Sequence, residues 1–237
     1  MVVYSIHRII GIRKLASLSD QGRFVIISNY QKHIQVYAFT ALFCLGYFSL
    51  QLNTLLYPHF LIMGILSIGY TLPLIAGKRL RDFHYVKIFI IAIVWSYVIN
   101  LPLIIEPLPL WTTGQLLTEK FCFLLAITIP FDIRDRNIDG DLKTLPSLLG
   151  IRSAYAFSLI LLVVGFYLTL NIRCSMDHGL DGVDQAWLLS NVIVYLCTAL
   201  LVGLSRNKKS DYYYGGLLDG TLWLKGSLLL MVLLIRS

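Results

Sequence analysis

Asp132, Asp135 and Asp139 stand at the spacing D-x-x-D-x-x-x-D within Phe131–Gly150, which reads Phe-Asp-Ile-Arg-Asp-Arg-Asn-Ile-Asp-Gly-Asp-Leu-Lys-Thr-Leu-Pro-Ser-Leu-Leu-Gly. The 237 residues include only 13 acidic ones, and four of those, counting Asp141, fall within ten positions here. Arg134, Arg136 and Lys143 are interleaved with them. At about 100° per residue, positions i, i+3 and i+7 share one face of a helix, so the three carboxylates converge if the preceding apolar run stays helical past Pro130. Such a cluster beside a membrane is costly unless water, cations or basic side chains compensate it. Hard oxygen ligands in this arrangement suit Mg²⁺, which commonly binds through one or two carboxylates plus substrate phosphates. Arg134, Arg136 and Lys143 add donors for phosphate oxygens. The plain alternative is a solvated loop whose mixed charges neutralise one another.

The elements that must position these residues are membrane helices. With 57% hydrophobic and 14% charged residues and a mean hydropathy of +0.73, the chain lies far from a soluble globular composition. Its apolar runs of about 18–20 residues each match the ~30 Å hydrocarbon core, and they lack the strict alternation of a barrel strand. The expected fold is therefore all-α: a polytopic transmembrane helical bundle of about seven full spans plus a partial N-terminal helix. The spans fall near 34–53, 58–76, 87–105, 115–131, 153–171, 187–204 and 220–235. Residues 1–33, too short in apolar run for a span, read as the partial helix and a basic cytoplasmic segment of one membrane-embedded domain covering 1–237.

The loops carry the orientation. Basic residues collect before the first span, after the second (Lys78, Arg79, Arg81), after the fourth (Arg134, Arg136, Lys143, Arg152) and after the sixth (Arg206, Lys208, Lys209). The alternate connections are nearly free of them: 53–58 has none, 105–115 has only Glu106, and 172–186 sets Arg173 against Asp177, Asp181 and Asp184. Positive charge stays on the cytoplasmic side, which predicts a multi-pass protein of the plasma (inner) membrane with an external C-terminus and a cytoplasmic aspartate cluster. The net charge of +7 follows from this loop bias, with no nucleic-acid partner implied. Cys44, Cys122, Cys174 and Cys197 show no metal or redox spacing and read as small buried residues. Among charges inside spans, Lys225 stands out, and no internal repeat or matched pair of broken helices points to a transporter.

Asp132-Ile-Arg-Asp135-Arg-Asn-Ile-Asp139, followed by Lys143-Thr144-Leu145-Pro146 and Leu148-Leu149-Gly150, resembles the second aspartate-rich motif of the UbiA superfamily of intramembrane prenyltransferases. Gly69-Tyr70-Thr71 with Lys78-Arg79, Lys87 with Ile91–Trp95, and Tyr213–Gly220 resemble other family landmarks in the expected order. The resemblance implies an all-helical bundle in which Mg²⁺ links carboxylates to the diphosphate of an isoprenoid donor. The prenyl chain then passes from polyprenyl diphosphate to a small aromatic acceptor. By position it implies Asp132, Asp135 and Asp139 as catalytic and metal residues, with Lys78, Arg79, Arg134, Lys143 and Arg8 as diphosphate contacts. Tyr70 would line the substrate cavity.

The family's first aspartate motif is missing. Its expected place falls on Val3–Arg8, where His7 and Arg8 stand instead of carboxylates. The chain thus reads as a divergent or N-terminally truncated member. The competing expectation is a catalytically impaired bundle with an isoprenoid-binding or accessory role.

Overall fold

A chain whose apolar runs cannot leave backbone groups to water must satisfy them along its own axis, and the described residues of this one do so over most of their length. The computed structural model describes residues 30–73, 77–136, 143–175, 181–207 and 210–236. Helix makes up 85% of the structure, and no strand forms among the described residues. The eight α-helices there are α1 (Gln31–Ser49), α2 (Tyr57–Thr71), α3 (Val86–Ile99), α4 (Leu110–Asp135), α5 (Leu145–Leu149), α6 (Ile151–Ser175), α7 (Asp181–Leu204) and α8 (Asp219–Arg236).

The seven longer helices fall on the seven apolar runs, with shifted ends. The run at 87–105 stops at Ile99, because Pro102 removes a donor and the chain turns into a short 3-10 segment, Leu101–Ile104. Asn100 Nδ2 closes that end by donating to the Ser96 carbonyl at 2.7 Å. The run at 115–131 instead extends both ways, into the 26-residue α4 with Pro130 inside it. Among the described residues three stretches, Thr54–Thr71, Ile151–Ile172 and Gln185–Leu204, are long and apolar enough to cross a membrane.

The chain divides into two compact units, Met1–Phe83 and His84–Ser237. In the first, α1 and α2 bury little, and Phe39, Phe43 and Leu50 are largely exposed. The Tyr57 hydroxyl donates to the Ser49 carbonyl at 2.8 Å, fastening the start of α2 to the end of α1. Cys44 on α1 is exposed, which corrects the expectation that the cysteines are buried; Cys122 in the second unit is buried.

In the second unit α4 is the central helix. It packs on α3, α6 and α7, while α8 packs on α7. Phe123 through Ile127 and Ile129 are all buried, the pattern of a helix apolar on every side. Small residues set the distance to α6: Ala126, Ala154 and Ser158 are fully buried, and the Ser158 hydroxyl donates to the Ala126 carbonyl at 2.6 Å. Close approach through small residues and a hydroxyl bond is how helices associate where apolar burial supplies no drive.

Candidate functional site

Because α4 continues through Pro130, Asp132 and Asp135 sit one turn apart at its C-terminal end and share a side of the helix. Asp132 is 2% exposed. A carboxylate so buried needs a counter-charge, and Lys87, in the first turn of α3, supplies it with its Nζ 3.5 Å from Oδ1. Asp135 is held by its neighbour: Arg134 Nε donates to Oδ1 at 2.8 Å and Nη2 to Oδ2 at 3.2 Å.

Arg134 is engaged on every side. Its guanidinium lies over the Phe131 ring at 5.1 Å and the Tyr214 ring at 4.9 Å, and Nη1 reaches Asp211 at 3.4 Å. Burial works against its charge, but the Asp135 hydrogen bonds and the Asp135 and Asp211 charges outweigh that and raise its pKa further. Tyr214 belongs to a six-residue π-helical segment, Tyr213–Leu218, that leads into α8. Such segments are rare and often accompany functional sites. Its Tyr213 hydroxyl bonds the Leu201 carbonyl at the end of α7.

Lys143 is brought to the start of α3. Its backbone N–H donates to His84 Nδ1 at 3.0 Å, and the Tyr85 N–H donates to its carbonyl at 2.9 Å. Tyr85 has a left-handed φ of 65°, an uncommon conformation for a bulky residue that turns the chain into α3 two residues before Lys87. The Lys143 side chain is exposed. After it, the Thr144 N–H donates to Ser147 Oγ at 2.9 Å to start α5, and Gly150 at φ 81° separates α5 from α6.

Of the residues predicted from sequence, the second unit thus gathers Asp132, Asp135 and Arg134 on the end of α4. Lys78, Arg79 and Tyr70 belong to the first unit. There Lys78 is exposed, and Arg79 is clamped to Asp82, with Nη2–Oδ1 at 2.8 Å. Tyr70 lies beneath Arg81, whose guanidinium is 5.9 Å from the ring centroid. Asp139 and Arg8 lie outside the described residues. No group of three or more His, Cys, Asp or Glu that could hold a metal occurs among the described residues. Asp132 and Asp135 provide the one or two carboxylates Mg²⁺ commonly uses beside phosphate oxygens.

A second polar cluster lies deeper in the same unit. Glu119, in the N-terminal half of α4, is 2% exposed and accepts from Tyr195 of α7, Lys225 of α8 and Lys120. Lys225 Nζ also stands 4.2 Å from the Phe123 ring centroid and 4.8 Å from that of Tyr195. Gly165 of α6 admits Tyr195: a Cβ there would meet its hydroxyl at 2.9 Å. Sequence reasoning singled out Lys225 but passed over Glu119 and Lys120 in the fourth apolar run. Ionisable residues inside apolar runs were the available signal. Lys87 as the partner of Asp132, and Tyr214 and Asp211 around Arg134, had no local signal. No protein-family model, curated protein or solved structure matches the chain.

Proposed function

We propose that the chain is a multi-pass, UbiA-like membrane protein of about seven spans that transfers an isoprenoid chain from a polyprenyl diphosphate to a small, aromatic acceptor with Mg²⁺. In this reading the aspartate end of α4 faces the cytoplasm and the C-terminus lies outside. The observation that carries it is the pair Asp132 and Asp135, one turn apart where a long apolar helix ends, each beside a cation. The largely exposed apolar side chains of α1, and Trp111 and Trp223 exposed near the starts of α4 and α8, support placement in lipid.

Asp132 and Asp135 would hold the metal, and Lys87 and Arg134, which neutralise them here, are suited to diphosphate oxygens. A bound Mg²⁺ would supply charge neutralisation of the leaving diphosphate. The apolar bundle interior would keep water from the developing allylic cation. The test is Mg²⁺-dependent release of diphosphate from farnesyl diphosphate in membranes carrying the protein. Asp132→Asn and Asp135→Asn should each lower it about 10–100-fold or more. Unchanged turnover in Asp132→Ala and Arg8→Ala would overturn the reading.

A second reading, an accessory protein that binds an isoprenoid without turning it over, is favoured by both carboxylates already having basic partners. Saturable binding of farnesyl diphosphate without diphosphate release would establish it.

A further inference from the structure

The Glu119 cluster opens onto a cavity of about 140 Å³ lined by α4, α6, α7 and α8. It is separate from the aspartate end of α4: Glu119 and Asp132 are about 20 Å apart along the helix axis at ~1.5 Å per residue. Charge on its walls does not balance. Lys120 and Lys225 bring two ammonium groups and Glu119 one carboxylate, which both lysines share with the Tyr195 hydroxyl. Among the described lining residues no other ionisable side chain occurs, so the walls of this partly open cavity carry one positive charge more than Glu119 balances. An uncompensated charge in such surroundings is costly, and a bound anion removes that cost.

The chemistry of the walls narrows the anion. One missing charge calls for a monoanion. Two ammonium groups brought together at Glu119 from α4 and α8 match the two oxygens of a carboxylate. Leu116, Ile172, Val194 and Leu228 make the rest of the lining apolar, so the ligand needs an apolar body. A cavity of ~150 Å³ accommodates benzene, which sets the size.

We propose that this cavity binds a small organic carboxylate of about benzoate size, its carboxylate held by Lys120 and Lys225 and its body by Leu116, Ile172 and Leu228. This site is independent of the diphosphate chemistry at Asp132 and Asp135.

The test is equilibrium dialysis of labelled benzoate against the full chain in detergent micelles, with benzamide as the neutral isostere. Benzoate should bind saturably, benzamide should fail to displace it, and Lys120→Gln should weaken it about tenfold or more. Lys120→Arg should retain it. Lys120 is the variant of choice because its side chain is 23% exposed, against 14% for Lys225. If Lys120→Gln does not fold, Leu228→Trp decides instead, since it fills the cavity and leaves the charges in place; it should abolish binding. Equal displacement by benzamide, undiminished binding in either folded variant, or no saturable binding to the folded wild type overturns the proposal.

Discussion

Lys225 of α8 is ion-paired with Glu119 of α4 inside the helix bundle, more than a hundred positions apart in sequence. The two residues are unequal. Among the described residues Glu119 is the one carboxylate bonded by two lysines and a tyrosine, whereas Lys225 shares that carboxylate with Lys120. Removing Glu119 therefore strands two ammonium groups, and removing Lys225 leaves Glu119 still paired.

The first prediction follows from that asymmetry. Glu119→Gln should destabilise the protein by about 3–5 kcal/mol, the range for breaking a buried ion pair, and Lys225→Met by clearly less. The double variant should recover part of the loss of Glu119→Gln, a coupling that thermal unfolding in detergent would measure as a double-mutant cycle. A larger loss for Lys225→Met than for Glu119→Gln would refute the unequal roles.

Gly165 gives the second. With a Cβ 2.9 Å from the Tyr195 hydroxyl and 3.3 Å from ring atom Cε1, Gly165→Ala should push Tyr195 off Glu119 and cost about 1–3 kcal/mol. Tyr195→Phe removes the closest atom. The pair Gly165→Ala with Tyr195→Phe should therefore cost less than the sum of the single changes, read from the same melts.

Lys87 carries the third. Lys87→Met removes one cation beside the buried Asp132 and should cost about 1–3 kcal/mol. Lys87→Met with Asp132→Asn should restore much of it. If Asp132 and Asp135 hold Mg²⁺ with a diphosphate, adding the diphosphate at about 100 Kd under saturating Mg²⁺ should stabilise the wild type by about 2.7 kcal/mol over Mg²⁺ alone. That gain should vanish in Asp132→Asn. Equal stabilisation of both proteins would remove Asp132 from the metal site.

Asp82 carries the fourth, a dependence on pH. Partial burial would raise its carboxyl pKa, but the Arg79 side-chain and backbone hydrogen bonds, with the charges of Arg79 and Arg81, hold it below its ordinary 3.8. A depressed acid stabilises the folded turn above the unfolded value and loses that contribution as pH falls through the folded one. Hydrogen-exchange protection of the Arg79 N–H, which donates to Asp82 Oδ2 at 3.0 Å, should be intact at neutral pH, begin to fall near pH 3.8 and be lost only as pH drops through the lower folded value. Asp82→Asn should weaken that protection at neutral pH and flatten its acid dependence.

The helices were readable in the residues because the determinants are local. Hydropathy over a window forces backbone bonds inward, and proline moves the ends, as Pro102 does at the close of α3. Pro130 shows the limit of that rule. Alone it is equally compatible with a stop or with continuation, and it sits inside α4 packed in the core at under 2% exposure. That continuation keeps Asp132 and Asp135 on one helix, so the readable spacing became a real juxtaposition only in the folded chain.

Charge partners were a different matter. The run of Asp132, Arg134 and Asp135 announces a polar centre in any reading of this chain. Which cation serves which carboxylate is set by how α3 lies against α4, which brings Lys87 to Asp132, and by the π-helical approach to α8, which lays Tyr214 on Arg134. The Glu119 cluster depended on packing still more. Glu119, Tyr195 and Lys225 lie on three helices, and a gap the width of a missing side chain at Gly165 lets the tyrosine in. Residue types and their order specified that ionisable groups had to be buried in apolar helices. Only packing chose their partners, because opposite charges within a few ångströms of each other are a property of neighbouring helices and not of neighbouring positions.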